Sequence, residues 1–297
     1  MNDPSAFSPL EAVTRVTPLG VRFWDPLEQA FVADGLSVNV RFATSARRYA
    51  ATMTSAGVFS AQNLPLLREA ERGAGDDAYW AGVATRSFVV EVDDPLGRFL
   101  SFSFPALLPA RGLFVWSCAL ASPLVADGPS DGVVLFSAPS RPATPMRAAI
   151  RTELRDATTG KPAAGAVLVA TVAGGALRVT GIADAQGRVV LLFPFPEPQD
   201  FPPIGDVATS PPASPTGSSL AGHTWPVTLS AQYAPSSAPY PDYPDLCTTL
   251  GQPPSPLWGD TNGAALPAQT LKVGSELVVR TSDASTGTPL SVLLVKG

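Results

Sequence analysis

The chain has 297 residues, 45% of them hydrophobic and only 15% charged, with a net charge of −5. That length allows two domains with cores of their own. The acidic balance excludes a nucleic-acid binder, which would need a basic stripe to neutralise phosphates. Its 25 glycines and 32 prolines work against long helices, because proline lacks an N–H and glycine is entropically costly there.

Residues 1–18 read as a polar arm carrying Pro4, Pro9 and Pro18. Val21 and Phe23 then alternate with Arg22 and Trp24, and Val38, Val40 and Phe42 alternate with Ser37, Asn39 and Arg41. This is the period of two that half-buried strands show. Asp25-Pro26 starts a turn between them. Residues 55–67 predict a short strand ended by Pro65, and 69–83 a flexible or short helical excursion. Residues 86–106 predict a hairpin with Phe88, Val90 and Val92 on one face, a turn at Asp94-Pro95-Leu96-Gly97, and a return through Phe99. Two further short strands are expected in 107–145, with Pro139, Pro142 and Pro145 marking a boundary.

The second half opens with Ile150, Thr152 and Leu154 on one side of a strand, a turn at Asp156, and Val167, Val169 and Thr171 on the next strand. Gly187 is expected to turn a hairpin. The order strand, Asp, turn, small residues, Gly, strand occurs twice, around Asp25 to Gly35 and Asp156 to Gly165. Three such blocks recur about 130 residues apart in the sequence, which reads as an internal duplication. Between Pro194 and Trp258 lie 16 of the 32 prolines, so 194–258 is expected to be extended loop. A closing hairpin turns through Ser282–Gly287.

The expected fold is all-β: two tandem antiparallel β-sandwich (Ig-like or prealbumin-like) domains with long proline-rich loops. The arm is 1–18, the first sandwich 19–145, and the second 146–297 with its insertion at 194–258. The phrases "DATTGKPAAGAVLV" and "ADAQGRVVLLFPFP" resemble the carboxypeptidase regulatory-like or transthyretin-like β-sandwich family. The first repeat matches more loosely. The resemblance implies a non-catalytic module. Tandem modules with the phrases "VRFWDP" and "VEVDDPLGRFLSF" also resemble accessory structural proteins of phage-tail-like contractile injection systems.

Little of the sequence points to chemistry. His223 is the only histidine, and no Gly-x-Ser-x-Gly elbow accompanies it. It reads as a partly exposed residue at a strand edge, with a hydrolase using His223 as the remote alternative. One histidine and two distant cysteines cannot supply a zinc site. Cys118 and Cys247 lie in different halves and read as buried free thiols, with a single disulfide as the alternative. Glu91, Asp93 and Asp94, and Asp76 and Asp77, lack the spacing of a calcium loop and read as turn formers. The glycines at 73, 75, 174 and 175 do not make a phosphate loop.

Of the five tryptophans, Trp24 and Trp225 fall beside strand-alternation positions and read as packing. Trp80 and Trp258, with Tyr240 and Tyr243 among prolines, are the candidate interface or ligand contacts, because such rings bury area at low entropy cost and keep a polar handle. No catalytic residue, metal or cofactor is expected. The predicted function is a non-enzymatic structural or adaptor protein, placed by the second resemblance in the baseplate of a contractile injection system or phage-like tail. Its expected partners are other subunits of a multi-subunit particle, in several copies arranged by symmetry. The alternative is a glycan- or surface-binding module. The sequence shows no secretory signal pattern and no apolar run of spanning length, so synthesis in the cytoplasm is expected, with the particle acting there or after release.

Overall fold

The computed structural model describes residues 15–73, 75–118, 129, 131–144, 146–172, 175, 177–196 and 222–297. Most of the expected N-terminal arm and the proline-rich stretch 197–221 lie outside them. The first half contributes β1 (Leu19–Val21), β2 (Phe23–Asp25), β3 (Ala30–Phe31), β4 (Ser37–Phe42), β5 (Arg48–Ala50), β6 (Thr52–Met53), β7 (Phe59–Ala61), α1 (Asp77–Gly82), β8 (Arg86–Asp93), β9 (Phe102–Leu108) and β10 (Val133–Val134). The second contributes β11 (Arg147–Asp156), β12 (Val167–Val172), β13 (Leu177–Ile182), β14 (Arg188–Pro194), β15 (Thr224–Gln232), α2 (Leu246–Leu250), β16 (Pro254–Ser255), β17 (Leu257–Trp258), β18 (Gln269–Lys272), β19 (Leu277–Val278) and β20 (Leu293–Val295).

In the first half one sheet runs β5-β4-β8-β9. The other layer is broken into β6-β7-β1 and β3-β2-β10, which follow one another because β1 and β2 are consecutive along the chain. The alternation decides which residues meet between the layers. Leu19, Val21 and Phe23 are buried from one layer, and Val38, Val40, Phe88, Val90, Val92 and Phe104 from the other. In the second half the sheets run β14-β11-β20-β17 and β13-β12-β15-β16, with β19 also on β11 and β18 also on β15.

The two halves pair their strands in the same way. The first strand is antiparallel to a later one (β1 to β7, β11 to β14) and parallel to the last (β2 to β10, β11 to β20). The second long strand lies between two antiparallel neighbours (β4 between β5 and β8, β12 between β13 and β15). The fold is therefore all-β, two tandem sandwiches, antiparallel except where β10 meets β2 and where β19 and β20 meet β11. Among the described residues no helix is long and apolar enough to cross a membrane.

Several local expectations change. Gly187 does not turn a hairpin: β13 pairs with β12 and β14 with β11, so the turn carries the chain from one sheet to the other. Segment 107–145 holds one described strand, β10, and residues 119–128 lie outside the described ones. Within 194–258 the structure places β15, a central strand flanked by β12 and β18. Its Pro226 faces Thr270 at the position where a donor is missing. The run "VLVATV" of β12 is buried on both faces. Leu168, Ala170 and Val172 enter the second core, while Val167 and Val169 enter the first, beside Ile182, Leu246 and Leu250. One strand thus belongs to two cores.

Two more ties join the halves. Leu27 from the first half packs with Ala149, Val190 and Leu192 of the second. Next to it, the linker residue Arg141 clamps Asp25 with two hydrogen bonds, 3.1 and 2.6 Å, both side chains being buried. Arg151 of β11 donates to the carbonyls of Pro139 and Arg141, fixing the linker that carries the clamp.

The pattern Asp-Ala-x-Thr-Gly-x-Pro occurs at 156–162 and again at 283–289, and it builds the same turn each time. Asp156 Oδ1 accepts from the N–H groups of Thr158 and Thr159, and Asp283 Oδ1 from those of Ser285 and Thr286. Gly160 and Gly287 each donate back to the aspartate carbonyl at 2.8 Å, with φ +69°. The Ser285 hydroxyl, with the Thr286 and Ser285 N–H groups, pulls the Asp283 carboxyl down from 3.8 to about 2. A depressed carboxyl stabilises above its unfolded value and loses that contribution as pH falls toward the folded value. A carboxyl NMR titration of Asp283 is accordingly expected to show its midpoint near 2, and Asp283→Asn to flatten the acid limb of the stability curve between pH 3.8 and about 2.

Candidate functional site

After β15 the chain leaves the second sandwich, crosses to the first and comes back. The base of this excursion is closed within the second half. Tyr233 N donates to Pro253 O at 3.0 Å, Ala234 N to Gln252 Oε1 at 2.8 Å, and Gln252 Nε2 to Gly165 O at 2.7 Å. At the tip, Asp245 caps α2 by accepting from Thr248 N at 2.7 Å, and Leu246 and Leu250 are buried in the first core. Residues 234–252 therefore form a clasp.

The clasp covers the free edge of β9. Ser103 N donates to Pro244 O at 2.8 Å, and Ser103 Oγ donates to Tyr243 O at 3.1 Å. An uncovered strand edge is open to pairing with other chains, and here it is closed by the protein's own loop. The Tyr243 ring lies 5.1 Å from the Arg48 guanidinium, which with Arg41 holds Glu91 by hydrogen bonds of 2.5 and 2.7 Å.

The expectation of free thiols is overturned here. Cys118 and Cys247 form a disulfide with their Cα atoms 5.6 Å apart. The two stand 129 residues apart in sequence, and only the docking of α2 on the first sandwich brings them together, so their spacing gave no sign of it.

Between the clasp and the two sandwiches lies a cleft of about 230 Å³. Leu100, Phe102 and Phe136 line it from the first half, Ile182 and Asp184 from the second, and Tyr240 from the clasp. Tyr240 packs against Gly165, whose φ is +73° and where a Cβ would stand 2.8 Å from the ring. Burial, and secondarily the Asp184 charge, push the Tyr240 phenol up from 10.0 to about 12. The neutral phenol is thus the form the fold favours. Its contribution is complete below pH 10 and lost as pH rises toward about 12, because the unfolded chain ionises first. Burial also raises Tyr79 and Tyr233, so ultraviolet titration of the phenolates should show several late tyrosines, with the step near 12 absent in Tyr240→Phe.

Of the four residues singled out from sequence, Tyr240 and Tyr243 sit on this clasp. Trp80 is on α1, its Nε1 donating to Gly75 O at 3.1 Å and its ring edge-on to Tyr79 at 4.9 Å. Trp258 is on β17, opposite Leu294, and a Cβ at Gly263 would stand 3.3 Å from its ring. Among the described residues no ring contact joins any two of the four. His223 stacks on Trp225 at 6.2 Å, and its Nε2 is buried without a partner among the described residues.

The acidic residues read as turn formers are occupied. Asp94 accepts from the N–H groups of Leu96, Arg98 and Phe99, Asp76 caps α1, and Asp77 pairs with Arg111 at 2.6 Å. Glu91 differs: it holds the two arginines of the outer sheet face. No group of three or more His, Cys, Asp or Glu among the described residues could hold a metal ion. The sequence marks Asp25 only as a turn starter, and Arg141 and the cysteine pair carry no local signal. The structure makes all of them junction residues.

The fold and this junction define an all-β protein of two sandwiches bound together by a clasp and a cleft. No protein family's sequence profile matches the chain, and no curated protein does. Among solved structures, the chain is similar to the Bacillus anthracis TIE protein at 6% identity and a TM-score of 0.21, over 89% of this chain and 33% of that one. The chain thus spans about a third of that protein's length, and the likeness is too slight to argue from.

Proposed function

We propose that this chain is a non-enzymatic structural or adaptor subunit of a large protein assembly, of the kind found near the baseplate or fibres of a phage-tail-like contractile injection system. The observation that supports this reading is the junction. A buried ion pair, a strand shared by two cores, a clasp and a disulfide tie two sandwiches together, which suits a part that transmits position rather than one that moves around a substrate. The particular assembly rests on the resemblance of the tandem modules. Disulfides persist in oxidising surroundings, which favours a released particle over one that stays in the cytoplasm.

The test is reconstitution. The purified chain is mixed with the products of its neighbouring genes, and complexes are sized by light scattering. Stable incorporation is the expected result. A chain that stays monomeric with every one of them sinks the reading. The cleft favours a second reading, a glycan-binding module with Tyr240 as the stacking ring beside Asp184 and Gln186. A glycan array on wild type and Tyr240→Ala would then show binding that the variant loses.

A further inference from the structure

We propose that the Cys118–Cys247 disulfide is a latch that sets whether the clasp 234–252 is closed on the first sandwich or released from it. This does not rest on the assembly reading, since every contact involved lies within the chain.

The two ends of the clasp are held by different means. At its base the bonds of Tyr233, Ala234 and Gln252 stay within the second half and involve no thiol. Between base and tip, residues 234–239 are all exposed and give the segment little reason to hold its path. At the tip the grip consists of two hydrogen bonds at Ser103, the Arg48–Tyr243 contact, the burial of Leu246 and Leu250, and the disulfide. Only the last is covalent. Cutting it leaves a hinged base and a tip that depends on a few contacts, the arrangement from which local opening arises.

Opening would have two consequences. Tyr240, Pro241, Asp242, Pro244, Leu246 and Thr249 of the cleft wall all belong to the clasp, so the cleft exists only in the closed form. The edge of β9 at Ser103 would also be bared to solvent or to another strand. Redox state would then govern both a binding cleft and a sheet edge.

The chemistry balances. Closing breaks two S–H bonds and forms one S–S bond, giving two protons and two electrons to an external disulfide that becomes two thiols. Opening is the reverse exchange with a thiol reductant. Cys247 is half-buried while Cys118 is buried, so attack begins more easily at Cys247. In a reducing cytoplasm the chain is then open as made, and it closes on reaching oxidising surroundings.

Hydrogen exchange on the full chain, oxidised and after dithiothreitol, tests the latch. On reduction the amide of Ser103 and those of 240–250 are expected to exchange on the order of tenfold faster or more, with β11 and β14 unchanged. The Tyr240 step of the phenolate titration should fall from about 12 toward 10.0 in the same sample. The double variant Cys118→Ser, Cys247→Ser should behave as the reduced chain whether or not reductant is present. Unchanged exchange on reduction overturns the proposal, because the other contacts then hold the clasp alone. Loss of protection throughout β11 and β14 also overturns it, because the disulfide is then a staple of the whole fold.

Discussion

Replacing Arg141 with methionine should lower the stability of the chain by about 3–5 kcal/mol, the range for stripping a buried charge of its partner. Among the described residues, the Asp25 carboxylate would keep only the Leu27 N–H as a hydrogen-bond donor, at 3.0 Å. The guanidinium also bonds Ser137 Oγ at 3.2 Å and lies 4.9 Å from the Phe99 ring, so its loss loosens the linker as well. Removing both charges is the informative contrast. The double variant Asp25→Asn, Arg141→Met leaves no unpaired ion and is expected to recover much of the loss, since a buried pair often gives little net stability over neutral groups of similar shape. Urea midpoints for the two single variants and the double decide it. Equal and additive costs would mean that the pair does not act as a unit.

Gly187→Ala is expected to cost about 3 kcal/mol or more, and Gly160→Ala only about 1 kcal/mol. Both glycines have positive φ, +79° and +69°, so both substitutions incur the left-handed penalty that a Cβ brings. They differ in space. A Cβ at Gly187 would stand 2.3 Å from Leu154 O, whereas nothing lies within 4 Å at Gly160. Leu154 cannot withdraw, because its N–H donates to Gly187 O at 2.7 Å. The difference between the two variants in thermal or urea unfolding therefore measures the close approach alone. Similar costs at both sites would show that the turn shifts to make room.

What could be read from the sequence was local. The β8–β9 hairpin follows from the spacing of Phe88, Val90 and Val92, and from an aspartate at 94 that gathers three N–H groups of its own turn. The sheet-to-sheet passage of 157–166 follows from small residues after Asp156. What escaped was made by distance. Composition concealed β15, because a strand with one proline inside a proline-rich stretch looks like loop until its partners β12 and β18 are known. The same holds for the clasp. Tyr240 and Tyr243 stood out as aromatic residues among prolines, but their reason for being there is Gly165 and Arg48, far off in the chain. Trp80 and Trp258 stood out for the same compositional reason, and they lie on other elements. Arg141 looked like any linker arginine; nothing nearby announces a carboxylate 116 residues earlier.

The strand β12 limits how these sandwiches can be reused. A sandwich that turns its outer face to water can be cut out and joined to something else. Here Val167, Val169 and Ile182 pack into the core of the neighbouring half, beside Leu246 and Leu250 of the clasp. Residues 146–297 expressed alone would lose the first half's share of that cover, with Leu246 and Leu250 bared as well, and would seek a substitute, another copy or a chaperone. The repeated strand pairing invites treating the halves as interchangeable beads, but the shared wall makes the pair the smallest portable unit.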